Sequence, residues 1–221
     1  MSVILITGPT RSGKSFYAES LAKQSGWPVI YVATSPPASF SEDAEWAERI
    51  RLHRQRRPVE WQTWEISHHL ERAIAECPDR HCCLIDALGG WVGSRLDTAP
   101  PDWQQEVEVF LEVLYRETAQ NRLSVIIVAE EVGWGVVPAF AMGRLFRDRL
   151  GDLTQRVAHV ADPVYLVVAG YALNLKQWGE AIGDAALPKG SPHFPEMGDR
   201  ENFCQNKETE SAPLSLDPYL N

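Results

Sequence analysis

Five short apolar runs punctuate the chain, at residues 2–6, 28–33, 81–86, 123–129 and 163–169. Each is continuous rather than alternating and is bounded by turn-forming or charged residues, the pattern of a strand buried on both faces. Between them lie stretches with helical spacing of apolar positions, notably 14–25, 41–57, 102–121 and 139–161. Strands alternating with helices predict an α/β fold, a mostly parallel sheet with helices on both faces. The segment Val59 to Ile66 is rich in Val, Trp and Thr and is a candidate for an additional strand. Residues 183–221 carry many Pro, Gly, Ser, Asn and charged residues without periodicity. The expected organisation is one domain over 1–176 and a polar, disordered tail over 177–221.

Composition narrows the function classes. A chain of 221 residues with 44% apolar content is long enough for one substantial core. Its net charge of −9 argues against nonspecific binding to nucleic acid or anionic membrane, so any phosphate affinity has to be local. No apolar run approaches the roughly 20 residues of a membrane span, and no basic region precedes the first apolar stretch, so no signal peptide is expected. Cys77, Cys82, Cys83 and Cys204 form no C-x-x-C pair. Adjacent Cys82 and Cys83 should point to opposite faces of a strand, and all four read as reduced thiols of a cytoplasmic protein.

The strongest motif is Gly8-Pro9-Thr10-Arg11-Ser12-Gly13-Lys14-Ser15, which has the G-x-x-x-x-G-K-[ST] spacing of a phosphate-binding P-loop. A strand candidate precedes it and a helix candidate follows, the context the motif requires. Backbone N–H groups of such a loop cradle phosphate oxygens at a helix N-terminus. Lys14 is expected to reach the β- and γ-phosphates and the Ser15 hydroxyl to bind Mg²⁺. Asp86 ends one strand candidate, and Glu130 and Glu131 follow another. Ligands bind at that carboxyl edge in open α/β sheets.

A second constellation lies in 41–57. Ser41 is a plausible N-cap, acidic residues fill the first turns, arginines fill the last, and Pro58 stops the helix. Arg49, His53 and Arg57 share one face, with Arg54 and Arg56 beside them. Neighbouring positive charge keeps an imidazole neutral and nucleophilic, and the same arginines suit a polyphosphate. The alternative is a solvated basic helix end with an ordinary histidine. His68 and His69 lack ligand spacing and are expected to start a helix; His81, His159 and His193 show no partners in the sequence.

Taken together, these residues resemble the bifunctional adenosylcobinamide kinase / adenosylcobinamide-phosphate guanylyltransferase family of cobalamin biosynthesis. The likeness runs in order through about residues 3–176: the P-loop, Tyr31-Val32-Ala33-Thr34-Ser35, Arg49-Ile50 with His53 and Arg54, then Trp61, Thr63 and Glu65. It continues through Ile85-Asp86, Glu131 to Pro138, Gly143 to Asp148, Ala161-Asp162 and Ala169-Gly170. The resemblance implies a RecA-like P-loop fold, often a homotrimer, and two reactions. A nucleoside triphosphate, ATP or GTP, phosphorylates the aminopropanol hydroxyl of adenosylcobinamide; GTP then guanylylates a histidine, and the corrinoid phosphate takes the GMP.

By the resemblance, His53 is the guanylylated residue and Lys14 the second catalytic residue. Nucleotide contacts fall on Gly8, Pro9, Thr10, Arg11, Ser12, Gly13, Lys14 and Ser15, on Ala33, Thr34 and Ser35, on Arg54, Gln55, Arg56 and Arg57, and on Glu65 and Asp86. The chain departs from the family pattern at Pro9-Thr10, where Gly-Ala is usual, and at Ser94, Glu130 and Thr154, where Asn is usual. It is also glycine-rich after Asp86, at Gly89, Gly90 and Gly93. Two other readings stay open at this point: another P-loop small-molecule kinase with His53 incidental, and a nucleotide-binding switch without transfer activity.

Overall fold

The computed structural model describes residues 3–35, Glu48, Arg51 and 54–182. In chain order the elements are β1 (Val3–Gly8), α1 (Lys14–Gln24), β2 (Val29–Ala33), β3 (Gln62–Glu65), α2 (Leu70–Glu76), β4 (Cys82–Asp86), α3 (Leu88–Ser94) and α4 (Pro100–Ala119). There follow β5 (Ser124–Glu130), α5 (Ala141–Val160), β6 (Val164–Val168), β7 (Tyr171–Asn174) and α6 (Leu175–Trp178). The seven strands form one sheet in the order β3-β2-β4-β5-β1-β6-β7. Every pairing is parallel except β6 with β7. This is the expected RecA-like P-loop architecture.

The apolar runs explain the layers. Successive strand residues face opposite ways, so each continuous run feeds two cores. Leu5, Ile30, Val32, Cys83, Ile85, Val125 and Ile127 pack on one face against α2, α4 and α5. Ile6, Val29, Tyr31, Cys82, Leu84, Ile126 and Val128 pack on the other with Ala18 and Ala22 of α1. Cys82 and Cys83 thus point to opposite faces as expected, and both are buried, free thiols, as is Cys77.

Three elements lie outside the sequence expectations: β7, α3 and the short α6. β7 arises because Ala169 (φ 50°) and Gly170 (φ 83°) reverse the chain in a tight hairpin; the apolar run had suggested only one strand there. α3 holds three glycines within Leu88–Ser94 and has little intrinsic helix propensity. The candidate strand in 59–66 is real but short, as β3. The expected helix after His68 and His69 is α2, flanked by His69. Of the helix expected over 41–57, Glu48, Arg51 and residues 54–56 are helical, Arg57 follows them, and the other residues lie outside the described ones; of the tail expected over 177–221, Gln177 and Trp178 close α6, and the residues from 183 onward lie outside the described ones.

One buried cation holds the connection from α3 to α4. Arg149 of α5 donates to the carbonyls of Arg95 and Thr98, each at 2.7 Å, and its guanidinium lies 5.1 Å from the Trp103 ring centroid. Lysine cannot hold this fork. Arg149→Lys is therefore expected to lose a charge-assisted bond to a part-buried carbonyl, at a cost of about 1–3 kcal/mol. A melting temperature lower by roughly 2–4 °C for each kcal/mol lost checks it.

Candidate functional site

Strand register brings the polar residues to one edge. Gly8 lies opposite Glu130, and Ala33 lies opposite both Asp86 and Glu65. All of these end parallel strands, so their side chains and the loops after them share the carboxyl edge.

The P-loop leaves β1 at Gly8 and enters α1 at Lys14. Left-handed backbone at Arg11 (φ 60°) and Gly13 (φ 99°) turns the chain tightly, as in backbone nests that hold anions. The Pro9 carbonyl accepts the Ser12 N–H at 3.3 Å and the Lys14 Nζ at 3.2 Å. Proline at position 9 thus leaves intact the acceptor that the loop uses. The loop is braced from behind: the Gly170 N–H donates to the Ser12 carbonyl at 3.1 Å, and a Cβ on Gly8 would fall on the Val167 carbonyl. The Ser12 hydroxyl is buried and has no hydrogen-bond partner among the described residues.

Asp86 joins the loop to the sheet. Its Oδ1 accepts the Ser15 hydroxyl at 3.2 Å, and its Oδ2 accepts the Tyr31 hydroxyl at 2.6 Å. Burial, then the Asp86 charge, pushes the Tyr31 phenol well above its ordinary value. Glu19, one turn along α1 from Ser15, is buried, and that burial raises its carboxyl pKa, opposed by the Arg56 charge.

The arginine run meets this group from the side. Arg54 is paired with Glu65, two predicted nucleotide contacts brought together. Arg56 reaches Glu19 at 3.5 Å, and the Arg57 guanidinium lies 3.4 Å from the Tyr31 ring centroid. Gln55 is exposed beside them. His53 and Arg49 lie outside the described residues.

The remaining predicted contacts divide. The Ala33 carbonyl accepts the Ile66 N–H at 2.8 Å, and the buried Thr34 hydroxyl donates to the Ala87 carbonyl, so that side chain is engaged within the protein. Ser35 follows at the edge. Gly90 comes so close that a Cβ there would lie 2.7 Å from the Ser35 nitrogen. Among the other departures, Ser94 Oγ donates to the Ser67 and Trp91 carbonyls and Thr154 Oγ1 to the Leu150 carbonyl at 2.7 Å, so each hydroxyl is satisfied locally.

Glu130 is the departure with the largest physical effect. Its Oε2 accepts the Gly89 N–H at 2.9 Å, and a Cβ on Gly89 would lie 2.5 Å from that oxygen. Sequence reasoning missed Tyr31, Glu19 and this use of Glu130. Only Tyr31 left a signal: it is the one hydroxyl in Val29-Ile30-Tyr31-Val32-Ala33, and a buried tyrosine takes a hydrogen-bond partner.

A family model described as "Cobinamide kinase / cobinamide phosphate guanyltransferase" matches residues 4–175. The bifunctional adenosylcobalamin biosynthesis protein CobU of Escherichia coli (strain K12) is 35% identical over 185 residues, covering 79% of this chain and 99% of the relative. The corresponding protein CobP of Pseudomonas aeruginosa is 37% identical over 174 residues, covering 78% of this chain and 96% of the relative. Among solved structures the RadB recombinase is similar at 16% identity and a TM-score of 0.42, covering 75% of this chain and 73% of that one.

The Glu130 carboxyl gives a pH test. Burial raises its pKa, the Asp86 charge adds to the rise, and its backbone hydrogen bonds and Lys14 oppose it. A carboxyl raised in the folded state costs nothing where it is protonated in both states, and its penalty grows as pH rises through the folded value. Glu130→Gln keeps an acceptor for the Gly89 N–H and removes the charge. A gain in melting temperature is expected at pH 8 that shrinks toward zero at pH 4; equal shifts at both pH values would contradict the assignment.

Proposed function

Because the chain belongs to the cobinamide kinase / cobinamide phosphate guanyltransferase family, we propose that it carries out both of that family's reactions with the residues assembled at this edge. The observation that carries the reading is the P-loop itself, with Lys14 on the Pro9 carbonyl, Ser15 on Asp86 and the arginines of 54–57 alongside.

In the kinase step the loop holds the triphosphate of ATP or GTP. The aminopropanol hydroxyl of adenosylcobinamide attacks the γ-phosphorus; the new O–P bond forms as the bond to the β-phosphate oxygen breaks. Lys14 offsets charge on the β- and γ-phosphates. The unpartnered Ser12 hydroxyl supports a phosphate at the loop. A hydroxyl and a carboxylate in contact, Ser15 and Asp86, form an all-oxygen donor set that fits Mg²⁺, which takes few protein ligands and completes its shell with water and phosphates. Mg²⁺ bound there supplies further neutralisation of phosphate charge.

In the second step a ring nitrogen of His53 attacks the α-phosphorus of GTP and pyrophosphate leaves. The phosphate oxygen of the corrinoid then attacks the same phosphorus, freeing the histidine and giving adenosylcobinamide-GDP. Arg54, Arg56 and Arg57 supply the positive charge for the phosphates. The acceptor is bulky and partly apolar. In support, the segment after Glu131, whose N–H bonds the Gly8 carbonyl at 2.9 Å, exposes Trp134, Val136, Phe140 and Met142. The reading includes a cytoplasmic homotrimer, which light scattering checks, and a tail from 177 onward that takes no part in the chemistry.

Two variants separate the steps. Lys14→Ala is expected to slow both reactions by on the order of 10²–10³-fold, the usual cost of losing a preorganised electrostatic contact; near-normal rates would refute the P-loop assignment. With radiolabelled GTP and Mg²⁺ the protein should gain acid-labile label. His53→Ala should gain none while still phosphorylating adenosylcobinamide, and labelled His53→Ala at the yield of the parent chain would sink the histidine assignment.

A further inference from the structure

Tyr31 is absent from every role assigned above, yet it touches both halves of the site. It is buried at the centre of β2, only 2% exposed. Its hydroxyl donates to Asp86 Oδ2 at 2.6 Å, while the other oxygen of that carboxylate accepts the Ser15 hydroxyl. Its ring carries the Arg57 guanidinium at 3.4 Å. The Arg57 Nε is buried and has no hydrogen-bond partner among the described residues. The aromatic face is a contact that fixes where that guanidinium lies.

We propose that Tyr31 is a positioning residue for nucleotide chemistry: its hydroxyl orients the Asp86 carboxylate toward Ser15, and its ring is the platform for Arg57. A carboxylate held by two donors has one orientation rather than several, and misplacement of a group at a phosphoryl-transfer site is costly in rate. The Tyr31 hydroxyl is the donor of this pair, because a carboxylate only accepts. The ring separately holds a cation flat at the edge of the site, where a free arginine side chain would sample many rotamers. Two parts of one side chain thus serve two groups that lie 29 positions apart in sequence, at 57 and 86.

The proposal rests on the assignment of Ser15 and Asp86 to the nucleotide site, and its test separates the two. Tyr31→Phe keeps the ring and removes the hydroxyl. It is expected to lower kcat of the kinase reaction by on the order of tenfold, with KM for the nucleoside triphosphate changed less than about threefold. Asp86→Asn should itself be slow, and the double variant should be no more than about twofold slower than Asp86→Asn alone, because both changes break one interaction. Tyr31→Leu removes the platform as well and should raise the nucleotide KM; Arg57→Ala should raise it similarly, and the two should not add.

Asp86→Asn at the parent rate would overturn the site assignment. A slow Asp86→Asn with Tyr31→Phe at the parent rate, or with fully multiplicative effects in the double variant, would overturn the role of the hydroxyl alone. An unchanged KM in Arg57→Ala, which alters a partly exposed residue and leaves the core intact, would overturn the platform. Rates are compared per folded molecule at a temperature where circular dichroism shows every variant folded, so a purely structural loss of Tyr31 gives parent-like kcat and KM and counts against the proposal.

Discussion

The parallel registration of β1, β5 and β4 sets the height of every polar group at the carboxyl edge. Gly8 stands beside Glu130, and Asp86 beside Val128. That registration is enforced by the interior, because Leu84 and Ile85 are fully buried on opposite faces. A slip of β4 by one residue would turn each toward the wrong core, and would carry Asp86 away from Ser15 and Tyr31. The polar groups at the edge are thus held in place by apolar burial one or two residues below them, and the P-loop is braced locally by the β6–β7 turn.

Electrostatics at this edge work against the charge of the whole chain, and the three arginines are held in different ways. Arg54 and Glu65 are each about half exposed, with side-chain exposures of 52% and 44%. Exposed pairs contribute about 0–1 kcal/mol, so this pair opens at little cost. Arg56 faces Glu19, whose side chain is only 4% exposed; a buried carboxylate left without its cation is far more costly, and this pair is the better anchor. Arg57 lies against the Tyr31 ring. The three arginines are therefore held by an easily opened pair, by a buried carboxylate and by an aromatic face.

Much of this was legible in the sequence. Continuous apolar runs located five strands to within a residue or two, and the P-loop announced itself through spacing and context. Asp86 was legible as a strand-end carboxylate. What escaped was pairing across distance: Tyr31 with Asp86 spans 55 positions and Arg56 with Glu19 spans 37, and no local pattern encodes either. β7 escaped because its signal is a two-residue turn, Ala169-Gly170, inside what reads as the end of a strand. His53 remains assigned by its basic neighbours and by family resemblance.

The unusual residues at 89 and 130 are best understood as one adaptation rather than two. α3 begins at Leu88 after Ala87, and no side chain of its own caps it. An uncapped helix start leaves N–H groups without partners. Glu130 reaches across from the end of β5 and accepts one of them, from Gly89, so a neighbouring strand supplies the carboxylate that an N-cap residue normally provides. That reach requires glycine at 89, because any Cβ would occupy the space of the carboxyl group. Glycine lowers the intrinsic helix propensity of α3 by about 1 kcal/mol relative to alanine, and the cap offsets a similar amount. A Cβ at 89 would displace the Glu130 carboxyl from this position, and the cap on Gly89 with it. Asn at 130 would present a shorter side chain to the space above Gly89.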